Sequence, residues 1–147
     1  MKRIGSFFLL IFALLCGGCA NLQGYPGAPR DRAQLAQLTV LSSAILADIN
    51  GFPIHQREPT LPSTYDVPAG EVLGHVKIAS LIDTTQSTSS RTVRWVSEDG
   101  FAFTFQAEPG HRYELRTPLY TDQMVLHVYV SDLTTGQRVF SHEYSVR

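Results

Sequence analysis

Phe101-Ala102-Phe103-Thr104-Phe105-Gln106-Ala107 carries the clearest alternation in the chain, with Phe101, Phe103, Phe105 and Ala107 on one side of an extended backbone and Ala102, Thr104 and Gln106 on the other. A period of two with one apolar face is the pattern of a strand half-buried in a sheet. Pro109-Gly110 then turns the chain, and His111, Tyr113 and Leu115 alternate with Arg112, Glu114 and Arg116. Upstream, Val93 and Trp95 begin a strand whose end at Asp99-Gly100 predicts a hairpin into Phe101. Further out, the turn Pro68-Ala69-Gly70 precedes Val72, Gly74, Val76 and Ile78, which alternate with Leu73, His75 and Lys77. Ala44 to Ile49 is a short apolar run closed by the turn pair Asn50-Gly51. Phe52, Pro53 and Ile54 follow, then a polar, Pro-rich stretch from His55 to Ser63. The Ser/Thr-rich stretch from Asp83 to Ser90 reads as a mobile loop, and Ala33 to Val40 fits neither the helical nor the strand period. About seven to nine strands, turn signals at sandwich-like spacing and no long helical period predict an all-β fold, a small antiparallel β-sandwich.

The last two strands can be placed in register. Met124, Leu126, Val128 and Val130 share one face of the first, and Phe140, Tyr144 and Val146 share one face of the second. Thr134-Thr135-Gly136 lies between them, and a three-residue loop with glycine in the left-handed position is a common connection. Centring the hairpin there pairs Asp132 with Arg138, Val130 with Phe140, Val128 with His142 and Leu126 with Tyr144. On the opposite face Val125 meets Ser145, His127 meets Glu143 and Tyr129 meets Ser141, which offers Glu143 as an acceptor for His127. A slip of one residue would divide the apolar side chains between the two faces.

The N-terminus has a different character. Lys2 and Arg3 precede an almost unbroken apolar run from Ile4 to Leu15. Twelve helical residues reach roughly 18 Å, short of the roughly 30 Å of a bilayer core, so the run has the length of a signal-peptide core rather than a span. Gly17 and Gly18 follow, then Cys19. A peptidase needs small side chains beside the scissile bond, and a lipidating enzyme needs a thiol. These residues resemble the bacterial lipobox, with Cys16 standing where leucine is usual. Cys16 and Cys19 also spell C-x-x-C, but no βαβ pattern surrounds them, and the redox reading is the weaker one. Cleavage before Cys19 removes Cys16 and leaves one cysteine, consumed by lipid, so the core alone must hold the mature domain. The resemblance implies residues 1–18 as a cleaved signal peptide and Cys19 as the lipidation site. Ala20, where inner-membrane lipoproteins usually carry Asp, implies the outer membrane, on its periplasmic side.

Residues 19–32 are expected to be the lipidated cysteine and a flexible tether, since Gly24, Pro26, Gly27 and Pro29 resist helix and sheet. Thirteen residues reach at most about 45 Å, which keeps the domain near its membrane. Residues 33–147 are expected to form the sandwich. Without 1–18 the chain has 129 residues, enough for one core, with 10 basic against 13 acidic side chains, a net charge of −3. No basic patch is present, and nucleic acid is not an implied partner.

Ile45, Ile49, Asn50, Gly51 and Pro53, then Val67, Pro68, Ala69 and Gly70, then Val76 and Ile78, resemble the PEGA-type β-domain. Phe105 to Tyr113, and Tyr25-Pro26-Gly27, resemble segments of small uncharacterised proteobacterial lipoproteins. The resemblance covers about half the mature chain and implies a non-catalytic envelope β-domain.

The polar residues do not assemble a reaction. His55, His75, His111, His127 and His142 show no helical metal-site spacing, so structural or surface roles outweigh a metal site, and none is expected. No G-x-S-x-G elbow and no Gly-rich phosphate loop occurs. Glu98 and Asp99 read as turn residues rather than an acid–base pair. The Phe101, Phe103, Phe105 stripe reads as core before ligand groove. Trp95, Tyr120 and Tyr129 remain as candidate binding aromatics. The expectation is a non-enzymatic outer-membrane lipoprotein, without cofactor beyond covalent lipid, whose β-domain binds another envelope component. The alternatives are a small-ligand or glycan-binding lipoprotein and a pilotin-like assembly factor.

Overall fold

The computed structural model describes residues 21–41, 44–55, 62–86, 89–97, 100–120, 123 and 125–145, with 79–86 and 89–96 described by their backbone alone. Residues 1–20, Cys19 among them, lie outside the described residues, as do Glu98, Asp99, Met124 and Val146.

Strand β1 (Leu22–Gln23) opens the described chain, and a single 3-10 turn at Arg32–Gln34 is capped by the Asp31 carboxylate, which accepts from the Ala33 amide at 3.0 Å. Then come β2 (Leu35–Val40), β3 (Ala44–Ile49), β4 (Phe52–Pro53), β5 (Ser63–Pro68), the long β6 (Gly70–Gln86) and β7 (Ser89–Val96). The chain ends with β8 (Phe101–Ala107), β9 (Arg112–Arg116), β10 (Leu119–Tyr120), β11 (Val125–Asp132) and β12 (Gln137–Ser145). Nine of these strands have five residues or more. They form an all-β sandwich of a seven-stranded sheet, ordered β1-β5-β2-β9-β11 with β10 and β12 also on β11, and a five-stranded sheet, ordered β4-β3-β6 with β7 and β8 both on β6. The pairs β1–β5 and β2–β9 are parallel and the rest antiparallel.

The stripe at 101–107 packs inward. Phe103, Phe105 and Ala107 are buried, while Thr104 and Gln106 are exposed. Phe105 meets Tyr113 of the opposing sheet at a ring separation of 4.7 Å. The segment with no clear period, Ala33 to Val40, becomes the end of the 3-10 turn and then β2, a strand paired on both sides. Its inward residues are Ala36, Leu38 and Val40, and the small Ala36 hid the alternation, while Leu35 is buried near the sheet's end.

The final hairpin takes the expected register from Val125–Ser145 to Val130–Phe140. Beyond it the pairing differs, because Asp132 meets Gln137 and Ser131 meets Arg138, with Val139 left over as a bulge. The loop therefore has four residues, with Gly136 at φ 75°. Asp132 selects it by accepting from Thr134 N at 2.8 Å and Thr135 N at 3.3 Å, an Asx-type turn.

Three local expectations are overturned. The described residues of the Ser/Thr-rich stretch are strand and not loop: β6 extends to Gln86 and pairs with β7 from Ala79–Val96 to Gln86–Ser89, while residues 87–88 lie outside the described residues. β-Branched threonines suit extended backbone, so polarity there does not interrupt β6 or β7. Strands β7 and β8 do not form a hairpin. Both run antiparallel to β6 on the same edge, and Ser97 holds the join, its amide donating to Ile78 O and its hydroxyl accepting from Ile78 N, each at 3.0 Å. The expected tether is folded from residue 21 onward. Gly24 N donates to Asp66 O at 2.9 Å, Tyr25 is buried, and the Tyr25 hydroxyl accepts from Arg30 N at 2.9 Å.

Candidate functional site

Strand β11 lies between β12 and the β9–β10 edge, so its inward residues Leu126, Val128 and Val130 are fully buried. Alternation turns Val125, His127, Tyr129 and Ser131 to the outer face of the seven-stranded sheet, where they are half-buried. Cross-strand register then decides their neighbours. Arg116 of β9 and Ser141 of β12 flank Tyr129, and Arg138 stands beside Ser131 one step along. The Arg138 guanidinium lies 4.1 Å from the Tyr129 ring centroid, a cation–π contact worth about 0.5–1 kcal/mol at an exposed site. The His127 ring meets Tyr129 edge-on at 5.5 Å. Its Nε2 lies 2.8 Å from Ser141 Oγ, so the histidine pairs diagonally with the serine rather than with Glu143 across the ladder. Glu114 binds the Arg116 side chain, and this carboxylate first, then the Tyr129 hydroxyl, raises the guanidinium pKa above its ordinary value.

Tyr120 is 48% exposed and sits opposite Val125, so it joins the same face. Trp95 belongs to β7 of the other sheet, opposite Ser80, and the register separates it from the two tyrosines; its side chain lies outside the described residues. Sequence reading missed Arg116 because no local pattern says that β9 borders β11, and it set Arg138 opposite Asp132, whereas the bulge at Val139 moves it opposite Ser131 on the Tyr129 face.

Among the described residues, two clefts flank this sheet. One, of about 250 Å³, is lined by Arg32, Leu35, Gln37, Asp66, Gly110 and Arg112 on the outer face, away from Tyr129. The other, of about 210 Å³, opens where the edge strands β1 and β4 adjoin. Tyr65 forms part of its wall, and burial raises the phenol pKa, partly offset by the Ser63 side chain. Gly24 closes that edge. A Cβ there would stand 2.9 Å from both Asp66 O and Ile49 Cδ1, so only glycine lets the strand lie so near.

Two histidine–carboxylate pairs tie turns and strands together. His75 Nδ1 lies 3.0 Å from both Asp48 carboxylate oxygens. His111 Nδ1 lies 2.8 Å from Asp132 Oδ2, with Glu108 3.4 Å from Nε2. Asp132 is 4% exposed. Burial opposes its charge, but hydrogen bonds from His111, Thr134 and Thr135 outweigh that and lower its pKa. The pair latches the turn after β8 to the turn after β11, as does Arg112 N, which donates to Thr134 Oγ1 at 3.0 Å. Among the described residues no group of three or more His, Cys, Asp or Glu side chains is placed to hold a metal ion.

The chain matches no protein-family model, no curated protein and no solved structure.

Proposed function

We propose that the chain is an envelope lipoprotein, cleaved before Cys19 and anchored by lipid to the outer membrane, whose non-catalytic β-sandwich binds another envelope protein through the outer face of the seven-stranded sheet. The observation that carries the recognition half is the cluster of Tyr129, Arg138, Arg116, His127 and Ser141 on one broad sheet face. Tyrosine supplies rigid contact area and a hydroxyl, and arginine a charged planar fork of directed hydrogen-bond donors; both are enriched at protein interfaces. A small ligand prefers a concave site that encloses it; this face is a sheet surface, and Arg138 already covers the Tyr129 ring on which a sugar would stack.

A photo-crosslinking side chain introduced at Ser141, with Thr104 on the other sheet as control, tests the reading at native expression. Expected is a discrete protein adduct from position 141, absent from position 104 and lost with Arg138→Glu. Equal labelling from both positions, or none from 141, would refute it. The anchor is tested separately by the mass of mature wild type against Cys19→Ser. A second reading, the pilotin-like escort by strand addition, draws on β12, a nine-residue strand paired among the described residues to β11 alone. Crosslinks running along the β12 edge instead of the Tyr129 face would select it.

A further inference from the structure

We propose that the edge where β1 adjoins β4 is seated on the lipid surface, with Leu22, Phe52 and Pro53 in contact with the bilayer interface. The inference rests on the lipid-anchor reading of Cys19 and adds what that anchor does to the domain's orientation.

Leu22 stands three residues after Cys19, a contour of at most about 11 Å. Its position is pinned: Leu22 pairs with Tyr65, Gln23 pairs with Asp66, Asn21 Nδ2 donates to Asp66 Oδ1 at 2.7 Å, and Gly24 N donates to Asp66 O at 2.9 Å. An acylated Cys19 therefore brings the lipid surface to within that contour of the β1 edge. A tether of thirteen free residues would have left the orientation open; a strand beginning at residue 22 does not.

The edge so positioned is largely apolar. Leu22 is 50% exposed, Pro53 is exposed, and Phe52 and Ile54 are half-buried. Together with Tyr65 and the polar Gln23 and His55 they line the cleft of about 210 Å³. An apolar cavity of about 150 Å³ accommodates benzene, so this cleft is too small for a long acyl chain. The lipid of Cys19 stays in the bilayer, and the rim of the cleft meets the interface. Apolar surface buried there adds to an anchor already present. The strand order then sets where the recognition face stands. From β1 through β5, β2 and β9 to β11 is four strand spacings of about 4.8 Å, which places Tyr129 about 19 Å across the sheet from the membrane edge.

The test uses the full-length lipoprotein, purified and reconstituted into phosphatidylethanolamine–phosphatidylglycerol vesicles, with Cys19 acylation verified by mass. Single cysteines at Phe52→Cys and, should that half-buried site disturb folding, at exposed Pro53→Cys carry an environment-sensitive dye; Thr104→Cys is the control. Expected is a blue-shifted emission at 52 and 53, with more than half of it lost to a quencher carried near the lipid headgroup, and an unshifted, unquenched probe at 104. If Cys19 is acylated, the protein is vesicle-bound and the probes at 52 and 53 behave like that at 104, the seating is overturned while the anchor stands. If Cys19 carries no lipid, both readings fall.

Discussion

Gly74→Ala is expected to destabilise the sandwich, against the usual gain from replacing a strand glycine. Gly74 lies in β6 between β3 and β8, opposite Phe103 on β8. A Cβ there would stand 2.4 Å from Phe103 Cζ, 2.7 Å from its Cε1 and 3.0 Å from Asp48 O. Carbon atoms rest about 3.5–4.0 Å apart, so the ring must retreat by about 1 Å. Phe103 is 0% exposed, and the Phe105 ring lies beside it at 6.4 Å, so the retreat must displace other core side chains. Overpacking of this kind costs about 1–3 kcal/mol, and the loss of unfolded-state freedom on removing glycine returns about 0.4–1 kcal/mol. The net is about 1–2 kcal/mol of destabilisation, or a fall in Tm of about 3–6 °C for a chain of this size. Urea and thermal unfolding followed by circular dichroism read it directly. Phe103→Leu alone also destabilises, by emptying core volume, but it removes the ring atoms in the way, so the double variant must lose about 1 kcal/mol less than the sum of the two single losses. A Gly74→Ala protein as stable as the parent, or strict additivity with Phe103→Leu, would refute the placement of the ring over Gly74.

The His111–Asp132 latch predicts a pH dependence. The folded Asp132 carboxyl titrates below its ordinary range. Its contribution is therefore complete above the unfolded value of about 4 and is lost as the pH falls through the lower folded value. Asp132→Asn should lower the urea midpoint at about pH 6, corresponding to about 2–3 kcal/mol, and the gap from wild type should narrow at about pH 3; an unchanged gap would separate Asp132 from the acid response. Asn50→Ala should cost about 1–2 kcal/mol in the same assay, because Asn50 holds φ 50° in the β3–β4 turn while its side chain accepts from Leu73 N at 2.8 Å and donates to Glu71 O at 3.2 Å. A double-mutant cycle on Tyr129→Leu and Arg138→Ala should return a coupling of about 0.5–1 kcal/mol that persists in high salt, with zero coupling denying the ring–guanidinium contact.

Short-range rules made much of the sandwich legible in advance. Alternation at 101–107 assigned Phe103 and Phe105 to the core, and Asn50-Gly51 marked a turn whose two residues both take positive φ. Apolar residues two apart set six rungs of the final hairpin, since side-chain direction in a strand follows from backbone geometry alone. The same logic placed Tyr129 opposite Ser141 but did not bring Arg116 or Tyr120 beside it, since they reach the Tyr129 face through pairings with other parts of the chain, and it set Arg138 opposite Asp132, whereas the Val139 bulge turns it to the Tyr129 face. Only the tertiary structure decided that β7 and β8 share one edge of β6, that Asp132 trades Arg138 for Gln137 to gain a His111 latch, and that residues 21–32 strap onto the domain instead of swinging free. The physical reason is common to all three. Which strand borders which is settled by burial summed over distant segments, and a backbone hydrogen bond such as Gly24 N to Asp66 O leaves no trace in the side chains on either side of it.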